Sequence, residues 1–455
     1  MIFGICLQYY KNMREDEIVK ASGAEVLKSR AKDIDYCIST DTRTIKKGDL
    51  YLPLKGANFD GEKFIADALQ KGAAGYFTTQ NIILDTADVI FKVNDTLKTY
   101  LELAGFYRNK INPTVIGITG SSGKTTTKEM LYSVLAQKFK TVKTFLNHNN
   151  EIGFCQTVFE MKPDTEILIV EMGMRGLGEI ELISRYAKPD FAIITNVGSS
   201  HIGRLKTLEN IAKAKCEIAK YLNPDGAFIA LNQDRIKNTA EYSGEKIYYS
   251  IKDVKVIEKK PAYSKFVYKN QEYELSVEGE YNIENALSVI ETAYKLNIDY
   301  RTVKTGLFAY KPIEKRWEFT DIAGFKVIND SYNANPDSMK ASVKTFVELY
   351  KNPVVVLGDM AELGENAVQF HREAGRYFAK LNCKDVKFLT VGGLAREIGA
   401  ELEKAGFFVK SFDDNQEVSR YILANLNIGN TIFLKASRAM KFEEILEILK
   451  RGNKL

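Results

Sequence analysis

Paired cysteines are missing from this chain. Its five cysteines (Cys6, Cys37, Cys155, Cys216 and Cys383) stand singly among 455 residues, with no CxxC pair. That excludes zinc sites of the finger or ribbon type, and an odd, dispersed count fits a reducing compartment. No apolar run is long enough to span a bilayer, so no transmembrane helix is expected. Residues 1–10 are apolar but lack a basic region and a small-residue cleavage site, so no secretion signal is expected and a cytoplasmic location is. An excess of one charge sign is also missing: 64 Lys and Arg against 59 Asp and Glu leave a net charge of +5. A nucleic-acid partner is not expected from such totals. Internal repeats and low-complexity tracts are absent. What is present is ordinary globular composition, 45% hydrophobic and 27% charged, which argues against disorder.

The length suggests about three domains, and the pattern predicts an α/β fold with boundaries at 1–112, 113–312 and 313–455. In the first, Leu50, Leu52 and Leu54 alternate with less apolar neighbours, the sign of a half-buried strand, and residues 62–72 and 96–109 read as helices. Ile111, Asn112 and Pro113 read as a linker. The second has continuous apolar runs at 115–118, 167–170, 191–195 and 228–231, with helical text at 128–139 and 208–222. Continuous runs indicate strands covered on both faces, and the alternation is that of a parallel, doubly wound sheet. Short alternating segments at 246–251, 265–268 and 273–277 predict a small antiparallel addition. The third has short apolar strands at 354–357, 388–391 and 432–434 and reads as a second, Rossmann-like α/β unit.

The strongest local signal runs from Gly117 to Thr126, GITGSSGKTT, between an apolar strand and helical text. This is the context a P-loop requires. Gly120, Ser121, Ser122 and Gly123 let backbone N–H groups converge on phosphate oxygens at a helix N-terminus. Lys124 supplies a full charge, Thr125 a hydroxyl for Mg²⁺, and Thr126 continues the turn. The usual first glycine is replaced by Ile118, with Gly117 and Gly120 on either side of it. ATP or GTP is the expected ligand.

Three further positions carry chemistry. Glu171 ends the strand at 167–170, where a carboxylate points into the ligand crevice and suits Mg²⁺; the plainer alternative is a capping or loop carboxylate. His201 follows the next strand in a Gly/Ser loop, as a site residue or a structural histidine. In the helical text at 208–222, Ile211, Ile218 and Leu222 form one stripe, and Lys215 falls on it. A lysine there either snorkels to solvent or is turned into a site. If desolvated, its amine becomes nucleophilic and can take up CO₂ as a carbamate, an anionic metal ligand.

Taken in order, residues 117–126, 170–173, 196–201, 212–215, 279–286, 315–318 and 328–338 resemble the Mur ligase family of cell-wall synthesis, across nearly the whole chain. The resemblance implies a substrate-binding N-terminal domain, a central ATPase domain and a C-terminal domain that binds the incoming amine and closes on ATP. Residues 330–336 and 357–365 are most similar to the member that adds D-alanyl-D-alanine to UDP-N-acetylmuramoyl-tripeptide with ATP and Mg²⁺. A member adding the third peptide residue, a P-loop hydrolase acting as a regulator and a silent scaffold binding UDP-muramyl-peptides stay open as alternatives. By the same resemblance Lys124, Lys215, His201 and Arg316 are catalytic. Thr125, Glu171, His201 and Lys215 (as the carbamate) are the expected metal ligands. Gly120 to Thr126, Asn285, Arg316 and Asp330 would hold ATP. Thr42, Arg43, Lys55, Asn149, Asn150, Asn333 and Asn335 would hold the other substrates, in a monomer.

Overall fold

The computed structural model describes residues 13–452 apart from 31–33, 57, 314, 382 and 384. The apolar stretch at 1–10, with Cys6 in it, and Ala57 lie outside the described residues.

Three large sheets follow one another along the chain. The first has five strands in the order Glu25–Ser29, Val89–Lys92, Gly75–Thr78, Leu50–Tyr51, Ile38–Ser39. Only the pairing of Glu25–Ser29 with Val89–Lys92 is antiparallel. The alternation expected at 50–54 is corrected here: the strand is Leu50–Tyr51, and Leu50, Tyr51 and Leu52 are all buried. A parallel strand between two neighbours is covered on both faces, so a period of two carries no meaning there. Thr96–Ile111 then leads to Asn112, whose φ of 54° ends the helix in a left-handed turn.

The second sheet is wholly parallel. Its order is Thr141–Lys143, Ile167–Glu171, Thr114–Thr119, Phe191–Ile194, Ala227–Leu231, Glu245–Tyr249. All five residues of Ile167–Glu171 are buried, because helices cover both faces. On one face Met130, Leu131 and Val134 of Lys124–Leu135 pack with Ile283, Ala286 and Leu287 of Glu280–Lys295. On the other lie Glu151–Phe159, Glu179–Ala187 and Leu208–Cys216. The strand expected at 246–251 belongs to this sheet as its parallel edge, not to the antiparallel addition. Its alternation reflects an edge strand with Glu245 and Lys246 exposed. The antiparallel unit is Lys255–Lys260, Tyr263–Tyr268 and Gln271–Leu275.

Two helices also differ from expectation. The one expected at 128–139 is Lys124–Leu135, starting directly at the phosphate loop, where Gly123 (φ 81°) turns the chain. The helix expected over 208–222 stops at Cys216 and continues as a 3-10 turn, Glu217–Ala219. Its stripe is buried all the same: Ile211, Lys215, Ile218 and Leu222 are all at most 6% exposed.

The third sheet has the order Glu318–Ile322, Phe325–Asn329, Thr431–Lys435, Pro353–Gly358, Lys387–Val391, Phe408–Phe412, antiparallel only at its first pair.

One titration follows from the packing around the central sheet. Glu160 caps the C-terminal end of Glu151–Phe159, and burial pushes its carboxyl up to about 7 from 4.5. The folded chain therefore holds a proton there that the unfolded chain has lost. Stability is greatest below about pH 4.5 as far as this group is concerned, and falls as pH rises toward 7. Glu160→Gln is expected to stabilise the protein at pH 8 by about 1–3 kcal/mol, and far less at pH 5. Thermal melts of both proteins at the two pH values check this; equal differences at both would contradict it.

Candidate active site

The crevice opens where the order of the central sheet reverses. Thr114–Thr119 lies between Ile167–Glu171 and Phe191–Ile194, so three strand ends deliver the phosphate loop, Glu171 and the 195–201 loop to one place. The C-terminal lobe closes the other side. The resulting cavity has a volume of about 1310 Å³.

The phosphate loop is pinned from below. Ser121 N donates to Asn196 O at 3.0 Å, Ser122 N to Asn196 Oδ1 at 3.0 Å, and Thr195 Oγ1 to Ser122 O at 2.5 Å. Gly120 and Gly123 have φ values of 154° and 81°. A Cβ at Gly120 would overlap Thr195 Oγ1, and one at Gly123 would overlap Asn285 Oδ1. These two glycines are therefore required sterically as well as conformationally. Asn285, buried on Glu280–Lys295, thus touches the loop directly.

Lys124 folds over the loop, its Nζ donating to Gly120 O at 2.7 Å. Burial lowers the pKa of its ammonium; Glu171 opposes this and Arg316 adds to it. Glu171 is 2% exposed. Its Oε1 accepts from Thr125 Oγ1 at 3.2 Å and Asn149 Nδ2 at 3.0 Å, and its Oε2 lies 3.4 Å from Lys128 Nζ without a hydrogen bond. Burial would raise its pKa, but Lys128, Lys124 and Arg316, with the Asn149 bond, together hold it below the ordinary value. Glu171 is therefore an ionised carboxylate in a buried place.

Lys215 is 2% exposed and lines the cavity. No hydrogen bond or ion pair reaches it among the described residues. Burial, reinforced by Lys124 and opposed by Cys216, holds its pKa well below the usual lysine value. This is the signature of a lysine turned inward rather than one that snorkels. His201, itself at φ 63°, places Nδ1 2.6 Å from Glu362 Oε2 of the C-terminal lobe. That contact, first among the causes, holds the Glu362 carboxyl below its ordinary value.

Arg316 stacks 4.0 Å over the Tyr332 ring, and its Nε is buried without a hydrogen-bond partner. Asp330 accepts from Lys435 Nζ at 2.7 Å. Asn149, Asn150, Asn333 and Asn335 also line the cavity, as do Ser121, Ser122 and Thr126. Asn150 caps Glu151–Phe159, accepting from Gly153 N at 3.0 Å. Thr42, Arg43 and Lys55 are not among the cavity residues: they sit on the N-terminal sheet unit. There Arg43 pairs with Asp41 at 2.6 Å, and Lys55 is exposed on the short pair Lys55–Gly56 with Phe59–Asp60.

Sequence reasoning assigned no role to Lys128, Glu362, Lys435 or Tyr332. Lys128 has a fully buried side chain, donates to Leu146 O at 2.5 Å, and lies 3.5 Å from Glu129 as well as near Glu171. A signal existed in its spacing: it lies one helical turn beyond Lys124, on the same face.

Models of known families match in three segments: "Mur ligase family, catalytic domain" over residues 36–105, "Mur ligase middle domain" over 118–293, and "Mur ligase, glutamate ligase domain" over 315–438. The UDP-N-acetylmuramoyl-tripeptide–D-alanyl-D-alanine ligase of Bacillus subtilis is 35% identical over 426 residues, 90% of this chain and 92% of that protein. The Escherichia coli ligase of the same name is 29% identical, covering 91% and 94%. Among solved structures, MurF from Acinetobacter baumannii superposes with a TM-score of 0.87 at 28% identity, covering 96% of this chain and 98% of the other. MurF from Thermotoga maritima in complex with ADP gives 0.80 at 25% identity, covering 92% and 98%. The three segment matches keep the order in which the phosphate loop, the inward lysine and the closing lobe are built, and the chain belongs to the Mur ligase family.

Proposed function

We propose that this protein joins D-alanyl-D-alanine to UDP-N-acetylmuramoyl-tripeptide, with ATP as the energy source and ADP and phosphate as products. The observation that carries the reading is the cavity itself. Lys124 and Arg316 converge there beside a buried carboxylate, Glu171, which Lys128 backs at 3.4 Å, next to a phosphate loop, with the inward amine of Lys215 on the same cavity. Fixed positive charge beside a phosphate loop favours a polyanion. Full-length similarity to D-alanyl-D-alanine-adding ligases supports the choice of substrates, and the ADP complex of the Thermotoga maritima relative supports the nucleotide.

The chemistry follows from the weakness of a carboxylate as an electrophile. The tripeptide carboxylate attacks the γ-phosphorus of ATP, a P–O bond forms, and the bond to ADP breaks. The resulting acyl phosphate carries a good leaving group. The dipeptide amine then attacks the carbonyl carbon, loses a proton, and expels phosphate. Two anions must first meet. At about 4 Å and an effective dielectric near 20, one pair of unit charges repels by about 4 kcal/mol. Lys124 and Arg316 offset that repulsion and stabilise charge on the transferring group. The 195–201 loop and the C-terminal lobe exclude water, which would otherwise hydrolyse the acyl phosphate.

Thr125 Oγ1 and Glu171 Oε1, 3.2 Å apart, with the second Glu171 oxygen buried and unbonded, suit Mg²⁺. Bound there, Mg²⁺ supplies charge neutralisation for the phosphates. His201 and Lys215 as its carbamate are the residues proposed for a second metal position. Thr42, Arg43 and Lys55 are proposed to hold the uridine diphosphate end, and Asn149, Asn150 and Asn333 the peptide path; the amide of Asn335 is engaged by Ser338 N and Ser200 Oγ instead. The domain limits 1–112, 113–312 and 313–455 are proposed with these roles. A monomer and a cytoplasmic location are proposed with these roles, the latter because the substrates are nucleotide-linked.

The test is ADP formation with UDP-muramyl-dipeptide or UDP-muramyl-tripeptide, each with and without D-alanyl-D-alanine. Turnover is expected only with the tripeptide and dipeptide amine together. Turnover with nucleotide alone would favour a P-loop hydrolase instead, and turnover with the UDP-muramyl-dipeptide and a third-position amino acid would favour the other ligase.

A further inference from the structure

One chain of hydrogen bonds crosses from the C-terminal lobe into the phosphate loop. The helix Pro336–Leu349 is capped by Asn335, whose Oδ1 accepts from Ser338 N at 2.8 Å. With its oxygen committed to the cap, the amide turns its nitrogen outward. Asn335 Nδ2 donates to Ser200 Oγ at 2.6 Å. Ser200 Oγ in turn donates to Ser121 O at 2.9 Å, within the phosphate loop. Ser121 Oγ closes the circuit on Gly198, donating to its carbonyl at 3.0 Å and accepting from its N–H at 2.9 Å. Asn335, Ser200 and Ser121 are each at most 8% exposed.

A second contact runs beside the first. Asp337 Oδ2 accepts from Ser199 N and Ser199 Oγ, both at 2.8 Å. A Cβ at Gly198 would overlap that same carboxylate oxygen. The two lobes thus meet at Gly198 with no room for a side chain, and directed bonds from Asn335 and Asp337 fix the contact there.

The direction of the bonds matters. Ser200 has one hydroxyl hydrogen. While Asn335 donates to Ser200, that hydrogen is free to be spent on Ser121. When the C-terminal lobe moves away, Ser200 keeps its hydrogen but loses the donor that orients the hydroxyl, which is then free to turn from Ser121 O to water. We propose that Asn335 is a positioning residue, which couples closure of the C-terminal lobe to the geometry of the phosphate loop through Ser200 and Ser121. The inference rests on the reading that this loop holds ATP. It adds that substrates which close the lobe tighten the grip on the nucleotide, and that the effect is reciprocal.

Asn335→Asp tests the bond direction. Aspartate caps a helix as well as asparagine does, so the helix keeps its start, but it cannot donate to Ser200 and draws the serine hydrogen away from Ser121. Ser200→Ala removes the relay from the middle. The measurement is the affinity of β,γ-methylene-ATP for the full-length chain, alone and with saturating UDP-muramyl-tripeptide and D-alanyl-D-alanine. In the unsubstituted protein the two substrates are expected to tighten binding about five- to 150-fold, the ordinary range of such couplings. In both variants the ratio is expected to fall toward one. Circular dichroism and thermal melts identify a variant that has not folded; either variant alone decides the matter. A ratio kept at its original value in a folded variant, or a ratio of one in the unsubstituted protein, overturns the proposal. An unsubstituted protein that binds no nucleotide overturns the ATP reading itself.

Discussion

Lys124→Ala is expected to lower kcat by about 10²–10³-fold or more while leaving the protein folded. The lysine donates to the loop carbonyl of Gly120, a contact within the phosphate loop itself. Its buried charge is unfavourable in the folded protein, since burial and Arg316 both lower its pKa. Removing it therefore costs little stability. The loss falls on the step in which negative charge is gathered between the γ-phosphate and the attacking carboxylate, where a fixed cation acts most strongly. The readout is steady-state ADP formation beside a thermal melt. Ligation at the original rate by a folded Lys124→Ala protein would refute the assignment of the phosphate site.

The second large effect concerns Lys215. Its amine is buried, unpaired among the described residues, and held well below the ordinary lysine pKa by burial and by Lys124. Such an amine is neutral over more of the working pH range, and only the neutral form attacks CO₂. In the proposed carbamate an N–C bond would form, a C=O π bond would open and a proton would leave, so that a neutral amine would become an anion. The sign of the pH effect follows: carbamate formation rises as pH climbs through the lowered pKa and falls below it. Lys215→Ala is expected to lose about 10²-fold in kcat and to recover part of it when acetate or propionate is added, because a free carboxylate restores the missing anion in the space left behind. Full activity without additive, or no recovery with it, would count against the carbamate.

The parts of this site that are legible in the sequence are those whose partners lie close along the chain or at strand ends. The phosphate loop is one contiguous segment. Glu171 and His201 follow apolar runs, and a parallel sheet brings the carboxyl ends of such runs together. Lys215 stands out because it interrupts an apolar stripe, and it is buried as the stripe predicts even though the helix stops at Cys216. The illegible parts depend on tertiary contact. Lys128 looks like any helix lysine until Glu171 is seen 3.4 Å away, 43 residues on in the chain. Glu362 meets His201, 161 residues earlier in the chain, only through the packing of the C-terminal lobe on the 195–201 loop. The strand Glu245–Tyr249 was legible as a strand but not in its partner, because an edge strand of a parallel sheet alternates as an antiparallel one does. Leu50, Leu52 and Leu54 illustrate the same limit from the other side, since both faces of that segment are buried.

Oxygen transfer tests the central claim most directly. UDP-muramyl-tripeptide labelled with ¹⁸O in its reacting carboxylate is turned over with ATP and D-alanyl-D-alanine, and the inorganic phosphate released is analysed by mass. Activation through an acyl phosphate places one labelled oxygen in each phosphate formed. Phosphate free of label, with ligation proceeding normally, would contradict the account.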